Sequence, residues 1–190
     1  KGADEERLMP AVAAVLESAG ASVTELGRVV CGAGPGSFTS LRIAGAIAKG
    51  IATGVGCPLY AVPSMALIVG GADLGEGRYL VAIDALRHES YVGLFDVEAD
   101  GELMETERAR LVATSSLDAV AEEYGAQLVS PSPLPGAIHA RPHARAIAHF
   151  ERSLVERGEV DVASWEPAYG RLAEAQVRWE TAHGRPLPTG

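Results

Sequence analysis

Three groups of residues in this sequence are of types and spacings that can do chemistry. The first is Gly32-Ala-Gly-Pro-Gly-Ser-Phe-Thr39. A glycine-rich turn between a strand and a helix exposes unpaired N–H groups at the positive end of the helix dipole, where an anion can sit. Gly34, Pro35 and Gly36 form the turn, and Ser37 and Thr39 can add hydroxyl contacts. It is not a phosphate loop of the Gly-Lys-Ser/Thr kind, because the nearest lysine is Lys49, well along the helix. A capped turn that binds nothing is the competing reading. The second group is Asp84, at the end of an apolar run, with Glu89 beyond a short polar stretch. A carboxylate there can orient a nucleotide or metal, or simply cap a turn. The third is His139 and His143, whose i, i+4 spacing can hold zinc on a helix. Pro142 intervenes and no acid follows the first histidine, so a metal site is not expected. His149 is read as a surface or helix-capping group. No Gly-x-Ser-x-Gly elbow is present and no Ser/His/Asp set can be assembled, which argues against a nucleophilic hydrolase.

The elements that must position these groups follow from hydrophobic periodicity. Leu8, Val12, Val15, Leu16 and Ala19 recur at helical spacing between Asp4 and Gly20. Residues 28–32 read as a short buried strand, 38–54 as a helix capped by Ser37, 57–62 as a second strand and 64–72 as another helix. This alternation predicts a parallel α/β arrangement. Four glycines between Gly70 and Gly77 mark a boundary. Beyond it, residues 78–86, 89–97 and 102–113 predict an antiparallel meander. A helix over 115–124, a strand over 127–130, a proline-rich connector over 130–136, and helices over 143–157 and 171–183 complete the pattern. The domain reading is an N-terminal lobe, 1–74, and a C-terminal lobe with its last helix, 75–190.

The helix over 38–54 is rich in small residues, with Ala44, Gly45, Ala46, Ala48, Gly50, Ala52 and Gly54. Glycine inside a helix costs roughly 1 kcal/mol relative to alanine, so several of them imply a close-approaching backbone. That backbone belongs either to a second chain or to this chain's own sheet. On the first alternative, Leu8, Val12 and Val15 of the first helix join Leu41, Gly45, Ala48 and Ala52 of the second in an interface.

The 190 residues are 47% hydrophobic and 22% charged, enough to build a core and too few charges for a disordered chain. With a net charge of −9 the chain repels phosphate at a distance and is a poor RNA binder by itself. Cys31 and Cys57 lack metal-ligand spacing and read as small buried residues in a reducing compartment. No apolar run of about 18 residues is present to span a membrane, and the polar start Lys1-Gly-Ala-Asp-Glu-Glu is no signal peptide. The cytoplasm is the expected location.

Gly34-Pro-Gly-Ser-Phe-Thr-Ser-Leu-Arg-Ile43 resembles the signature of the TsaB (YeaZ) family, with Ser40 and Ala44 where glycines are usual. Val81-Ala-Ile-Asp-Ala85 is similar to that family's Ile-Asp-Ala-Arg strand end, although Leu86 replaces the arginine and Arg87 follows. Glu166-Pro-Ala-Tyr-Gly-Arg171 is similar to a third family segment. The resemblance implies a two-lobed actin/Hsp70-like (ribonuclease H-like) α/β fold. In that fold the first strands of lobe one are expected before Lys1. It singles out Gly34, Pro35, Gly36, Ser37, Phe38, Thr39, Arg42 and Asp84 as family-motif or nucleotide-facing positions.

It also implies a non-catalytic scaffold or activator subunit, with no cofactor of its own. That subunit serves the transfer of threonylcarbamoyl to adenosine 37 of tRNAs reading codons that begin with A. The implied partners are a second copy in a homodimer, a metal-bearing TsaD-like subunit that performs the transfer, and a TsaE-like ATPase. ATP and a metal ion are expected in the assembled complex, and tRNA only through it. The alternatives are a glycoprotease-like metallopeptidase or a weak ATPase of the same superfamily.

Overall fold

The structure, a computed structural model, describes residues 8–169 and 183–184. The first helix is α1 (Leu8–Ser18). The first sheet is a parallel pair, β1 (Val29–Gly32) and β2 (Leu59–Val62), with Cys31 opposite Ala61. Between them runs α2 (Phe38–Val55), which makes a β–α–β crossover. Gly56 ends the helix at φ 75°, where its N–H reaches the carbonyl of Ala52; only glycine takes that backbone without a Cβ penalty. The short helix α3 (Ser64–Val69) then leads to the second sheet.

That sheet has β3 (Gly77–Asp84), β4 (Glu89–Val97), β5 (Leu103–Ala113), β6 (Gln127–Ser130) and β7 (Ile138–His139), in spatial order β5-β4-β3-β6-β7. β3, β4 and β5 form the expected meander, and β6 and β7 add in parallel. Helix α4 (Leu117–Tyr124) covers one face, with Leu117 and Ala121 packed on Leu80, Ala82, Val92 and Leu128. The other face carries the main core. There Val81, Phe95 and Val129 meet Val62, Met65 and Val69 from the α3 region, with Phe150 and Leu154 completing the cluster. Each such fully buried side chain contributes about 1.5–3 kcal/mol by leaving water.

Two elements differ from the sequence expectation. The helix expected over 143–157 is broken into a 3-10 turn, Ala144–His149, and α5 (Glu151–Arg157). Phe150 sits between them at φ −127° and ψ 18°, outside helical geometry, because its ring is drawn into the core at 1% exposure. The strand β7 emerges beyond the proline-rich connector and was too short to show a period. Gly70 and Gly71, read as boundary residues, are packing glycines. A Cβ on either would lie 2.8 Å from Ala146 or His143. The helix expected over 171–183 lies outside the described residues except for His183, as does the 4–7 portion of the first helix.

After α5 the chain returns to the first sheet. Val160 N–H donates to the Leu59 carbonyl and Ala168 N–H to that of Ala33, while Lys49 Nζ donates to the Trp165 carbonyl. Residues 158–169 therefore strap the β1–β2 pair and α2 to the rest of the molecule. Arg28 adds a bond from its guanidinium to both carboxylate oxygens of Glu151, at 2.8 and 2.9 Å.

Candidate functional site

The Gly34-Pro35-Gly36 turn stands at the carboxyl end of β1, with a cis bond between Gly34 and Pro35. Its backbone is occupied by the chain itself. Gly34 N–H donates to Ser64 Oγ at 2.9 Å, and the Gly34 carbonyl accepts from Ser64 N–H at 2.9 Å. Gly34 lies at φ 100°, and a Cβ there would come within 2.2 Å of the Ala168 carbonyl oxygen. The turn is thus braced between α3 and the strap. Ser37 takes the N-cap position of α2 but makes no side-chain capping bond, and it and Thr39 are exposed. The Phe38 and Tyr169 rings lie 4.7 Å apart, and the Arg42 guanidinium stacks 5.3 Å over Phe38.

Helix α2 buries Leu41, Gly45, Ala48 and Ala52 against this chain's own residues. Ala48 and Ala52 join Cys31 and Leu59, with Trp165, Val160 and Val162 packed on them. A Cβ on Gly45 would meet Pro167 at 3.1 Å and Trp165 at 3.6 Å. The three small residues among these, Gly45, Ala48 and Ala52, are accounted for by internal packing, the second of the two alternatives left by the sequence. The opposite face of the same helix carries Arg42, Ala46, Gly50, Thr53 and Gly54, all exposed. Among the described residues, a Cβ on Gly50 or Gly54 would touch nothing within 4 Å. Helix α1 buries none of its residues: Leu8, Val12 and Leu16 are half-buried, and Val15 is 68% exposed.

A cavity of about 430 Å³ opens at the carboxyl ends of the parallel strands β3 and β6, the end of an α/β sheet where ligands usually bind. Asp84, Arg87, His88, Ser90, Thr114, Ser130 and Leu134 line it, among others. The turn that carries its charged groups is unusual. Leu86, Arg87 and His88 take φ values of 63°, 55° and 62°, three successive left-handed residues, none a glycine. Each costs roughly 1–2 kcal/mol against the right-handed form, and such residues cluster where a backbone is held for function. Asp84 Oδ1 supports the turn by accepting from Leu86 N–H at 2.8 Å. The floor is built of hydroxyls: Ser90 and Ser130 are 4% and 3% exposed. Ser90 Oγ and Thr114 Oγ1 bond each other at 2.9 Å, and Ser130 Oγ accepts from Ser132 N–H at 3.2 Å.

The sequence points to Asp84 but not to the arginine, histidine and three hydroxyls around it. Ser90, Thr114 and Ser130 come from three separate strand ends, and no spacing links them. His139 lies in β7 next to Ser130, and His143 precedes the 3-10 turn, its Nδ1 accepting from Arg145 N–H at 3.1 Å. Among the described residues no three His, Cys, Asp or Glu side chains converge as a metal site would require. His149 is exposed, 3.1 Å from the Gly101 carbonyl. Burial pushes the Cys31 thiol up to about 11. Among the described residues no helix is long and apolar enough to cross a membrane.

A family model described as TsaD, tRNA N6-adenosine threonylcarbamoyltransferase, matches residues 3–153. The tRNA threonylcarbamoyladenosine biosynthesis protein TsaB of Escherichia coli is 36% identical over 98 residues, 50% of this chain and 42% of that protein. The matched segment therefore spans less than half of that relative's length. The Bacillus subtilis protein of the same description is 27% identical over 190 aligned positions, 91% of this chain and 82% of that one. Among solved structures, YeaZ from Pseudomonas aeruginosa superimposes with a TM-score of 0.69 at 26% identity, covering 87% of this chain and 83% of the other. A second structure, an uncharacterized protein with similarity to peptidase YEAZ from the same organism, gives a TM-score of 0.73 at 24% identity over the same shares, a likeness of fold.

Proposed function

Because the chain belongs to the tRNA N6-adenosine threonylcarbamoyltransferase family, in its TsaB/YeaZ branch with the actin-like α/β fold, we propose that it is a scaffold and activator subunit in tRNA threonylcarbamoyladenosine biosynthesis. It acts on adenosine 37 through a TsaD-like transferase and a TsaE-like ATPase, which bring the metal and the ATP of the assembled complex. The setting is the cytoplasm. An acidic chain suits this division of labour, since the phosphate-gripping surface then lies on a partner.

The observation that carries this reading is the apolar surface of α1 and the outer face of α2. Helix α1 reads Leu-Met-Pro-Ala-Val-Ala-Ala-Val-Leu-Glu-Ser and fully buries no residue, with Met9 and Val15 50% and 68% exposed. Glycines at positions 50 and 54 weaken a helix by about 1 kcal/mol each, and no described residue requires their lack of a Cβ. Both facts are explained by a second backbone lying on this face, from the TsaD-like subunit or from another copy of the chain. Leu8, Val12 and Val15 are then contact residues, joined by Ala46 and Gly50. The family-motif positions Phe38, Thr39 and Arg42 flank that surface.

Reconstitution tests the proposal. With TsaD-like and TsaE-like subunits, ATP, threonylcarbamoyl-adenylate and tRNA, modification is expected to depend on this chain. Equal modification in its absence would overturn the reading.

A further inference from the structure

The cavity at the β3–β4 turn contains a charge pattern that the scaffold role does not use. Asp84 and Arg87 line the same space, three positions apart across the left-handed turn. They carry opposite charges, yet they form no ion pair with each other or with any described residue. Asp84 has one oxygen committed to Leu86 N–H, and its second oxygen has no partner among the described residues. The hydroxyl floor has unused donors as well. A hydroxyl donates once and accepts twice. In the Ser90–Thr114 pair one O–H is spent on the other oxygen, which leaves the second available. Ser130 Oγ accepts from Ser132 N–H, and its own O–H, on a residue 3% exposed, has no acceptor among the described residues. Buried donors of this kind are normally paired with water or a ligand.

The net charge of this set selects the ligand. One carboxylate and one guanidinium cancel, so a phosphate dianion would gain Arg87 and be repelled by Asp84. A cation alone would meet the reverse. A small zwitterion satisfies both: its carboxylate takes Arg87 and the free hydroxyl donors, and its ammonium takes the open Asp84 oxygen. Leu86, Pro133 and Leu134 supply an apolar wall for a short side chain. A volume of about 430 Å³ is within the range of small-molecule pockets and leaves room for bound water. We propose that this cavity binds a small free α-amino acid, held through its carboxylate by Arg87 and the Ser130 hydroxyl and through its ammonium by Asp84. The proposal is independent of the assembly described above, since it rests on none of the residues of α1 or α2.

The test is calorimetric titration of the full chain with L-serine, L-threonine and L-alanine. Acetate, inorganic phosphate and ethylamine serve as probes carrying one charge sign only. Binding is expected for at least one amino acid, with little for the single-charge probes. Asp84→Asn keeps the oxygen that accepts from Leu86 N–H, and Arg87→Asn suits a left-handed position, so both variants are expected to fold. Each should weaken amino-acid binding at least about tenfold, the loss expected when one charged hydrogen-bond partner is removed. Ser130→Ala should weaken it less. Absence of amino-acid binding to the wild-type chain overturns the proposal, as does binding that both variants retain. Phosphate binding that strengthens in Asp84→Asn while amino acids stay inert would replace the zwitterion with an anion.

Discussion

Gly45 in α2 faces Pro167 so closely that a Cβ on the glycine would stand 3.1 Å from the proline Cγ. The contact joins a helix near the start of the chain to the strap near its end. It decides which side of α2 can serve a partner. Gly45→Val is expected to destabilise the isolated chain by about 1–3 kcal/mol, the usual cost of overpacking a tight site. Urea denaturation followed by circular dichroism measures it.

The outer face of the same helix should behave in the opposite way. Gly50→Ala meets no described residue and is expected to stabilise the isolated chain by about 0.5–1 kcal/mol through helix propensity. Gly50→Leu and Val15→Asp should leave the melting temperature near that of wild type and abolish co-elution with the TsaD-like subunit or with a second copy. Unchanged co-elution of both variants would remove α1 and the outer face of α2 from the interface.

Gly34 combines a backbone conformation of φ 100° with a carbonyl oxygen 2.2 Å from where a Cβ would be. Gly34→Ala therefore has to move the strap or the turn. We expect a loss of at least about 2 kcal/mol from backbone conformation and displaced contacts together, read as a lower urea midpoint. A midpoint equal to wild type would show that the strap gives way at no cost.

Cys31 and Cys57 should separate in a thiol-labelling experiment. With its thiol pushed up to about 11 by burial, Cys31 is roughly one-thousandth thiolate at pH 8. Cys57 is partly exposed. One equivalent of reagent is expected to react with the folded protein, at Cys57, and the second only after denaturant is added. Rapid reaction of both would contradict the packing of Cys31 under α2.

Arg78 and Asp96 face each other across β3 and β4, with guanidinium bonds of 2.8 and 2.9 Å to the two carboxylate oxygens. The Arg78 hydrogen bond holds the Asp96 carboxyl below its ordinary value of 3.8. A depressed carboxylate contributes stability above its unfolded value and loses it as the pH falls through the folded one. Asp96→Asn should therefore cost a few tenths to about 1 kcal/mol near neutral pH. The difference from wild type should close in acid below the ordinary carboxylate range, and parallel urea titrations across pH test this.

Much of the architecture can be read in the sequence because several elements end at residues with one dominant preference. Gly34-Pro35-Gly36 forces the break between β1 and α2, and Gly56 closes the helix. The alternation through Tyr79, Val81, Tyr91 and Phe95 marks one face of the meander. The break at Phe150 is invisible because the residue suits a helix and leaves it only to bury its ring. The inner and outer faces of α2 are confused for a related reason. Alanine and glycine occur on both, so periodicity cannot tell which side meets Trp165. The cavity is hidden more deeply. Its hydroxyls come from Ser90, Thr114 and Ser130, brought together by strand register, and Leu86-Arg87-His88 has none of the glycine or asparagine that announces a left-handed turn.

The strap also has a consequence for how the chain is made. A ribosome releases residues in order, and domains generally consolidate as they emerge. Here β1, α2 and β2 are synthesised early, yet their edge and face are completed only by Val160, Trp165 and Ala168. The five-stranded sheet, whose strands end at His139, can close while that last stretch is still inside the exit tunnel. The β1–α2–β2 unit is thus completed only after the five-stranded sheet, by residues made later than any strand of that sheet.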